Sequence, residues 1–364
     1  MSLNKLDIYS FRNILKASIK PSSEINFIVG ENASGKSSLL EAIYILGRAR
    51  SFRATNNKQV IQFEKTELIV SGIAIEKNGH NYHLGIQINN SGCVIRINQS
   101  NSDKAELAHS FPVLLIHPKS YKLLDDGPQI RREFMDWGVF NDEEYFLENW
   151  RKYKKILQQR NSLLKTKKVR HINVWDTELV QCGTIVSKYR NKYLTRLEPV
   201  FIEISHYFFN FDQLQLIYLS GWDKSECFER ALENSLQKDI KYGFSHIGPH
   251  RSDFQVVLNG KLAKLFVSRG QLKILMLALN LAQIKLFNNL NKNKVCVLID
   301  DLTAELDVIN KQKLLNYLVK LNCQVFMSST ELSNFGDINN LSNYNVFHVK
   351  HGKISLIKNF TCST

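Results

Sequence analysis

The chain has 364 residues, of which 44% are hydrophobic and 23% charged, and a formal net charge of +14. This composition suits one large or two modest folded domains and argues against extensive disorder. No apolar run reaches the roughly 18 residues that a membrane helix needs, and the N-terminus has no apolar core of a secretory signal. The positive excess favours a polyanionic partner, nucleic acid or an anionic membrane surface, unless it is merely a basic surface without a partner.

In chain order, residues 3–11 and 25–29 read as strands. The second, Ile25-Asn26-Phe27-Ile28-Val29, is short and apolar and runs straight into Gly30. A helix is predicted from Ser37 to Leu46, where Leu39, Leu40, Ile43, Tyr44 and Leu46 fall at helical spacing. Residues 68–75, 82–88 and 93–98 alternate or run apolar between Asn-Gly, Asn-Asn and Ser-Gly turns, which predicts an antiparallel meander. From Asp142 to Tyr207 only Gly183 and Pro199 interrupt a helical pattern, so two or three long helices in an antiparallel arm are expected. A Leu- and Ala-rich helix follows at 272–289, then buried strands at 295–299 and 323–327. The six cysteines (93, 182, 227, 296, 323 and 362) form no CxxC pair or zinc spacing and are expected to be free thiols in a reducing cytoplasm.

Three motifs carry chemistry. Gly30-Glu31-Asn32-Ala33-Ser34-Gly35-Lys36-Ser37 fits G-x-x-x-x-G-K-[ST], and it stands between a strand and a helix as a phosphate-binding loop must. Its N–H groups and the helix N-terminus would hold anionic oxygens. Lys36 would reach the β- and γ-phosphates of ATP, and the Ser37 hydroxyl would bind Mg²⁺. Val297-Leu298-Ile299-Asp300-Asp301 is a buried strand ending in two acids. Beside a phosphate loop, Asp300 is expected to hold Mg²⁺ and Asp301 to orient or deprotonate the attacking water. Ser268-Arg269-Gly270-Gln271 precedes the Leu/Ala-rich helix. Two readings stand side by side: Ser268 caps the helix, or the helix N-terminus faces a phosphate.

The ordered set of phosphate loop, Ser-x-Gly-Gln, Ile-Asp-Asp and Ala304-Glu305-Leu306-Asp307 resembles the ABC-type heads of SMC proteins and, more closely, the RecF family of bacterial recombination-repair ATPases. Further stretches similar to that family are Phe11-Arg12-Asn13, Leu39 to Ile43, Gly127-Pro128 with Arg131-Arg132, Gly248-Pro249-His250-Arg251, and Ser268 to Gln283. The resemblance spans nearly the whole chain.

It implies an α/β, ABC-type P-loop ATPase head: a mixed sheet with helices plus an antiparallel β meander, and a helical second lobe or arm. Residues 1–120 with 290–364 are expected to form the ATPase lobe, and 121–289 the helical lobe with signature segment 268–271. Nucleotide would be held by Gly30 through Ser38 together with Arg12 and Asn13. Ser268, Gly270 and Gln271 would face the ATP of a second copy, so that ATP drives homodimerisation. Ala33 stands where many relatives have glycine, which is expected to be tolerated if its φ is negative. Thr330 stands where transporter ATPases carry a switch histidine. Gly248 to Arg251 is either a rigid turn or, by resemblance, part of the nucleotide region or interface. The family further implies action on gapped or single-strand-containing DNA with RecR- and RecO-like proteins, recombinase loading, replication restart and SOS induction.

DNA contact is expected on the arm, at Arg151, Lys152, Lys154, Lys155, Lys167 and Lys168, with Arg160, Lys165 and Arg170 in the same run. Residues 151–170 contain no acid, and the run is read as lacking the compensating Glu at i−4 of a salt-bridged surface helix. The rival readings are the ATPase subunit of a membrane transporter, a DNA-bridging protein that binds nucleotide without hydrolysing it, and a small-molecule P-loop kinase. The kinase would need neither the Ser268–Gln271 nor the Ala304–Asp307 element.

Overall fold

The computed structural model describes residues 1–76, 79–168, 170, 172–290 and 294–361, the side chains of 119, 121, 303, 304 and 358–361 excepted. The chain divides into two compact units, residues 1–120 with 287–364 and residues 121–286.

The first unit begins with β1 (Ser2–Phe11), β2 (Ile14–Ile19), β3 (Ile25–Val29), α1 (Lys36–Arg48), β4 (Glu67–Ile75), β5 (Asn81–Asn89), β6 (Gly92–Ile97), β7 (Ser100–Asn101), α2 (Lys104–Ser110) and β8 (Val113–Ile116). The second holds α3 (Lys122–Asp125), α4 (Pro128–Asp142), α5 (Phe146–Lys165), α6 (Ile172–Phe208), β9 (Leu214–Leu219), α7 (Phe228–Tyr242), β10 (Asp253–Leu258), β11 (Lys261–Leu262) and most of α8 (Arg269–Leu290). The chain then returns to the first unit with β12 (Cys296–Ile299), α9 (Val308–Lys320), β13 (Val325–Ser329), β14 (Asn343–Lys350) and β15 (Lys353–Thr361).

Two sheets build the first unit. One is antiparallel, in the order β2-β1-β4-β5-β6-β7, and contains the expected meander. Along β4 buried and half-buried residues alternate, the period-2 signature of a sheet with one core face. The other sheet runs β15-β14-β3-β13-β12-β8 and is parallel except for β15. All five residues of β3 and all four of β12 are buried, as expected for strands covered on both faces. α1 packs its apolar side between the sheets: Leu39, Leu40, Ile43 and Leu46 are fully buried in one cluster with Leu6, Ile8, Val70 and Phe326. Fold class is thus the one expected, α/β with a mixed parallel sheet and a meander.

Strand β13 starts two residues later than the sequence suggested. The side chain of Gln324 occupies that stretch: it donates to the Leu3 and Ser22 carbonyls at 2.8 and 2.7 Å and accepts from the Leu3 amide at 2.7 Å.

In the second unit the predicted arm is a pair of helices, α5 and α6. They run antiparallel: Arg160 meets Asp176 at 2.6 Å, and seven residues earlier on α5 the Tyr153 ring lies against Gly183, seven residues later on α6. Of the cysteines, residues 93, 182, 227, 296 and 323 are free, as expected, and Cys362 lies outside the described residues. No helix among the described residues is long and apolar enough to cross a membrane.

Candidate functional site

The loop from Gly30 to Ser37 leaves the carboxyl end of β3 and enters α1, so it sits where parallel α/β sheets place ligands. Gly30 has φ 154°, and a Cβ there would come within 2.2 Å of the Val349 carbonyl oxygen of β14. Gly35 has φ 119°, and its Cβ would meet the Asn13 amide at 2.8 Å. Both positions need glycine for φ, and at Gly30 the approach of the Val349 backbone requires it as well. The back of the loop is tied down at one atom, the Ser34 carbonyl, which accepts from Asn13 Nδ2 at 3.0 Å and from the Gly352 amide at 2.8 Å.

Ala33 does not meet the condition set for it. Its φ is +62°, in the left-handed region, where a non-glycine residue costs on the order of 1–2 kcal/mol. The tight turn that closes Ser34 N–H onto the Glu31 carbonyl, together with the fixed Ser34 carbonyl, imposes it. Glu31, Asn32 and Ala33 are exposed, whereas Ser34, Gly35, Lys36 and Ser38 are buried.

The interior of the loop is short of partners. The Ser34 hydroxyl is buried with no hydrogen-bond partner. The N-terminus of α1 has no side-chain cap, which leaves its amides available. Lys36 is buried and donates to the Gly30 and Glu31 carbonyls at 2.9 and 3.0 Å, using two of its three hydrogens. Such a set of donors converging on a concave backbone fits phosphate oxygens.

The acid pair closes the site from the next strands. Asp300, at the end of β12, is buried and its Oδ1 accepts from Ser37 Oγ at 3.0 Å and from Ser328 Oγ of β13 at 2.7 Å. Ser328 Oγ in turn accepts the Asp301 amide at 3.0 Å. These oxygens, one carboxylate and two hydroxyls, are the hard donors that Mg²⁺ takes alongside phosphate. Asp301 is half-buried with φ 46°. Burial, and then the neighbouring Asp300 charge, raise its carboxyl above the ordinary carboxylate range, with Lys36 opposing. A carboxylate raised in this way is a better proton acceptor.

Arg12 is clamped by Glu41 of α1 through a bidentate pair at 2.7 and 2.9 Å. Glu41 is fully buried and also accepts from Ser51 Oγ. Sequence reasoning had placed Arg12 at the nucleotide without seeing this clamp; a glutamate in the apolar run Leu39 to Ile43 was the available signal, since a buried carboxylate needs a partner. Ser328 was missed in the same way, although a buried strand ending in Ser328-Ser329 carried its signature. The carbonyl of Thr330 accepts the Gly30 amide at 3.3 Å, and its hydroxyl accepts from Asn334. A further pocket of about 340 Å³ beside the loop is lined by Glu31 to Ser34 and by His348 to His351, from β14 and the turn after it; no sequence signal pointed there.

In the second unit, Ser268 and Gln271 form a reciprocal capping box at the start of α8. Ser268 Oγ accepts the Gln271 amide at 3.2 Å, and Gln271 Oε1 accepts the Ser268 amide at 2.9 Å. Ser268 is therefore a helix cap, and Ser268, Arg269 and Gly270 are exposed. Asp307, the last residue of the Ala304–Asp307 element, caps α9; the Ala304 side chain lies outside the described residues. Gly248 to Arg251 forms a rigid turn: Arg190 donates to the Pro249 carbonyl at 2.6 Å, and His250 bonds Tyr153 Oη at 2.7 Å and the Ser245 carbonyl at 3.0 Å.

The arm's basic run needs two corrections. Arg160 is fully buried, its guanidinium held by Asp176 and Asp239 at 2.6 Å each and by Ser245 at 2.7 Å, so it belongs to the core. Lys152 does have a glutamate at i−4: Glu148 lies 3.5 Å away, just upstream of the acid-free stretch. Lys154 sits over the Trp150 ring at 4.2 Å. Arg151, Lys154, Lys155, Lys165, Lys167 and Lys168 are exposed.

Residues 2–355 match the family model described as the RecF/RecN/SMC N terminal domain. The chain is 39% identical over 360 residues to the DNA replication and repair protein RecF of Pseudomonas aeruginosa, covering 98% of each. Its fold is similar to a solved structure of the recombination mediator protein RecF-ATP in the RecFOR pathway, with TM-score 0.88, 27% identity and 98% of each chain covered. An Smc head domain from Pyrococcus furiosus shares the fold at TM-score 0.60 and 16% identity, over 98% of this chain and 96% of that one. The chain belongs to the RecF/RecN/SMC N-terminal-domain family, and within it to the RecF proteins.

Proposed function

We propose that this chain is an ATP-hydrolysing DNA replication and repair protein that works as an ATP-dependent homodimer on gapped or single-strand-containing DNA. The observation that carries the reading is the meeting of Ser37, Asp300 and Ser328 beside a phosphate loop whose Ser34 hydroxyl is buried without a partner.

Each residue has a task in it. The loop amides and the Ser34 hydroxyl bind phosphate oxygens, and Lys36 turns its remaining hydrogen to the β/γ-phosphates. Asn13 holds the loop in shape through the Ser34 carbonyl, and Arg12 flanks it on the rigid Glu41 clamp. Ser37 and Asp300 hold Mg²⁺, which neutralises phosphate charge when bound. Asp301 orients the attacking water and takes its proton. The exposed Ser268 and Gly270 of one copy, with the half-buried Gln271, face the ATP of the other, so that nucleotide selects the dimer. Lys154, Lys155, Lys167, Lys168, Arg151 and Lys152 contact the DNA backbone, giving affinity with little base preference. The working compartment is the cytoplasm. RecO- and RecR-like proteins are its partners, by analogy with the RecFOR pathway of the solved relative.

The test is the mass of the purified chain by light scattering, with and without ATP and Mg²⁺, followed by titration with gapped DNA. ATP should double the mass, the dimer should hold the DNA with affinity that falls steeply as salt rises, and Lys36→Ala should stay monomeric. An unchanged mass with ATP would overturn the reading.

A further inference from the structure

The end of α7 carries a cluster of rings and cations that the ATPase reading leaves unused. Tyr242, the last residue of the helix, is 56% exposed, and Phe244, beyond the left-handed Gly243, is 38% exposed. Their rings lie 5.2 and 4.2 Å from the His246 ring, the latter pair stacked. His246 is itself pinned, its Nδ1 2.9 Å from Asp239 Oδ1, and Asp239 is the fully buried partner of Arg160. The ring cluster therefore stands on a fully buried ion pair. Cations flank it: the Arg251 guanidinium lies 5.5 Å from the Phe244 centroid and Lys241 Nζ 5.6 Å from that of Tyr242. The end of α5 adjoins it, since a Cβ on Gly243 would meet Lys165 Cα at 3.5 Å, and the Ser245 amide donates to Asn161 of α5 at 2.8 Å.

We propose that this cluster is a base-stacking platform for single-stranded nucleic acid. Tyr242, more than half exposed and in a T-shaped pair with His246, offers a pre-oriented ring at little ordering cost, and Phe244, stacked on His246 with Arg251 over its ring, extends that surface. Any unpaired base can stack on such a face, whereas bases stacked within a duplex cannot reach it. Charge selects a polyanion over a protein partner: residues 240–252 contain no acid, and neither does the adjoining stretch 151–170. Lys165, Lys241 and Arg251 would take the phosphates while Tyr242 and Phe244 take the bases. The proposal rests on the DNA-binding reading only in needing a nucleic-acid partner; it assigns a second, chemically different contact, specific for unpaired strand.

The experiment compares the full-length chain with its Tyr242→Ala/Phe244→Ala double variant and with Tyr242→Phe, in the presence of ATP. The probes are a labelled oligothymidylate and a blunt duplex of equal length. The double variant should bind the single strand at least about tenfold more weakly, bind the duplex within about twofold of the original chain, and keep the same salt slope, because no phosphate contact is lost. Tyr242→Phe should bind as the original does, since stacking needs the ring and not the hydroxyl. A single strand containing 2-aminopurine should be quenched by the original chain and not by the double variant. Unchanged single-strand affinity, or equal losses on both probes, would overturn the platform; the first outcome would leave duplex binding by the arm intact. A native chain that binds neither probe would overturn the DNA-binding reading and this one together.

Discussion

The phosphate loop of the first unit and the Arg160 network of the second are both dense in polar and charged groups, yet they are finished in opposite ways. Around Arg160, donors and acceptors are matched: Asp239 alone accepts from Arg160, Ser235, the His246 amide and the His246 ring. Among the described residues only Arg160 Nη2 lacks a partner there. In the loop, Ser34 Oγ is orphaned, the helix is uncapped, Asp300 and Asp301 stand side by side, and Ala33 and Asp301 occupy left-handed backbone. A network built for stability satisfies itself. A site built for a ligand holds strain and unmet donors that the ligand relieves.

That contrast can be broken by substitutions of opposite sign. Arg160→Met removes one side of a buried pair and leaves Asp239 uncompensated, so it should lower stability by about 3–5 kcal/mol, read from urea unfolding. A loss under about 1 kcal/mol would show that the network is not a stability element.

The same network makes a pH prediction. His250 donates through Nε2 to the Ser245 carbonyl, which leaves Nδ1 to accept from Tyr153 Oη, so the ring is neutral. Burial above all, with Arg251 and Arg132, against the Ser245 bond and Asp239, lowers its pKa to about 4. A depressed folded-state value means that the contribution is complete above the unfolded value near 6.5 and is lost as pH falls toward 4. Up to roughly 3 kcal/mol should disappear across that window. His250→Gln, which can keep both bonds without titrating, should flatten the profile; an equally steep profile in that variant would assign the effect to other groups.

In the loop the smallest and opposite effect is expected. Ala33→Gly relieves the left-handed strain but loosens the unfolded chain, for a net gain of about 0.5 kcal/mol in the ligand-free protein. A clear loss in the urea midpoint would mean that the loop is not strained.

What could be read from the sequence follows how local each signal is. The phosphate loop, the fully buried strands β3 and β12, the meander and the arm rest on spacing within a few residues, and each was legible. The hairpin of β14 and β15 was not: its turn is His351-Gly352, with φ 48° and 75°, in place of the usual Asn-Gly. The role of Arg160 was hidden because its partners, Asp176 and Asp239, are 16 and 79 residues away. A lysine-rich run reads as one charged face, whereas helical geometry turned this one member inward. Ser328 and Glu41 were visible as odd polar residues in apolar runs, but their partners became known only through the fold.

Asp301 is proposed to act on water at a nucleotide held by the loop. The most direct test is single-turnover phosphate release by Asp301→Asn, assayed beside ATP-dependent dimerisation, with and without gapped DNA. The variant should bind ATP, form the dimer and remain there, releasing phosphate at least about a hundredfold more slowly than the original chain. Release at the original rate from a dimer that forms and dissociates normally would contradict the claim and place the base elsewhere.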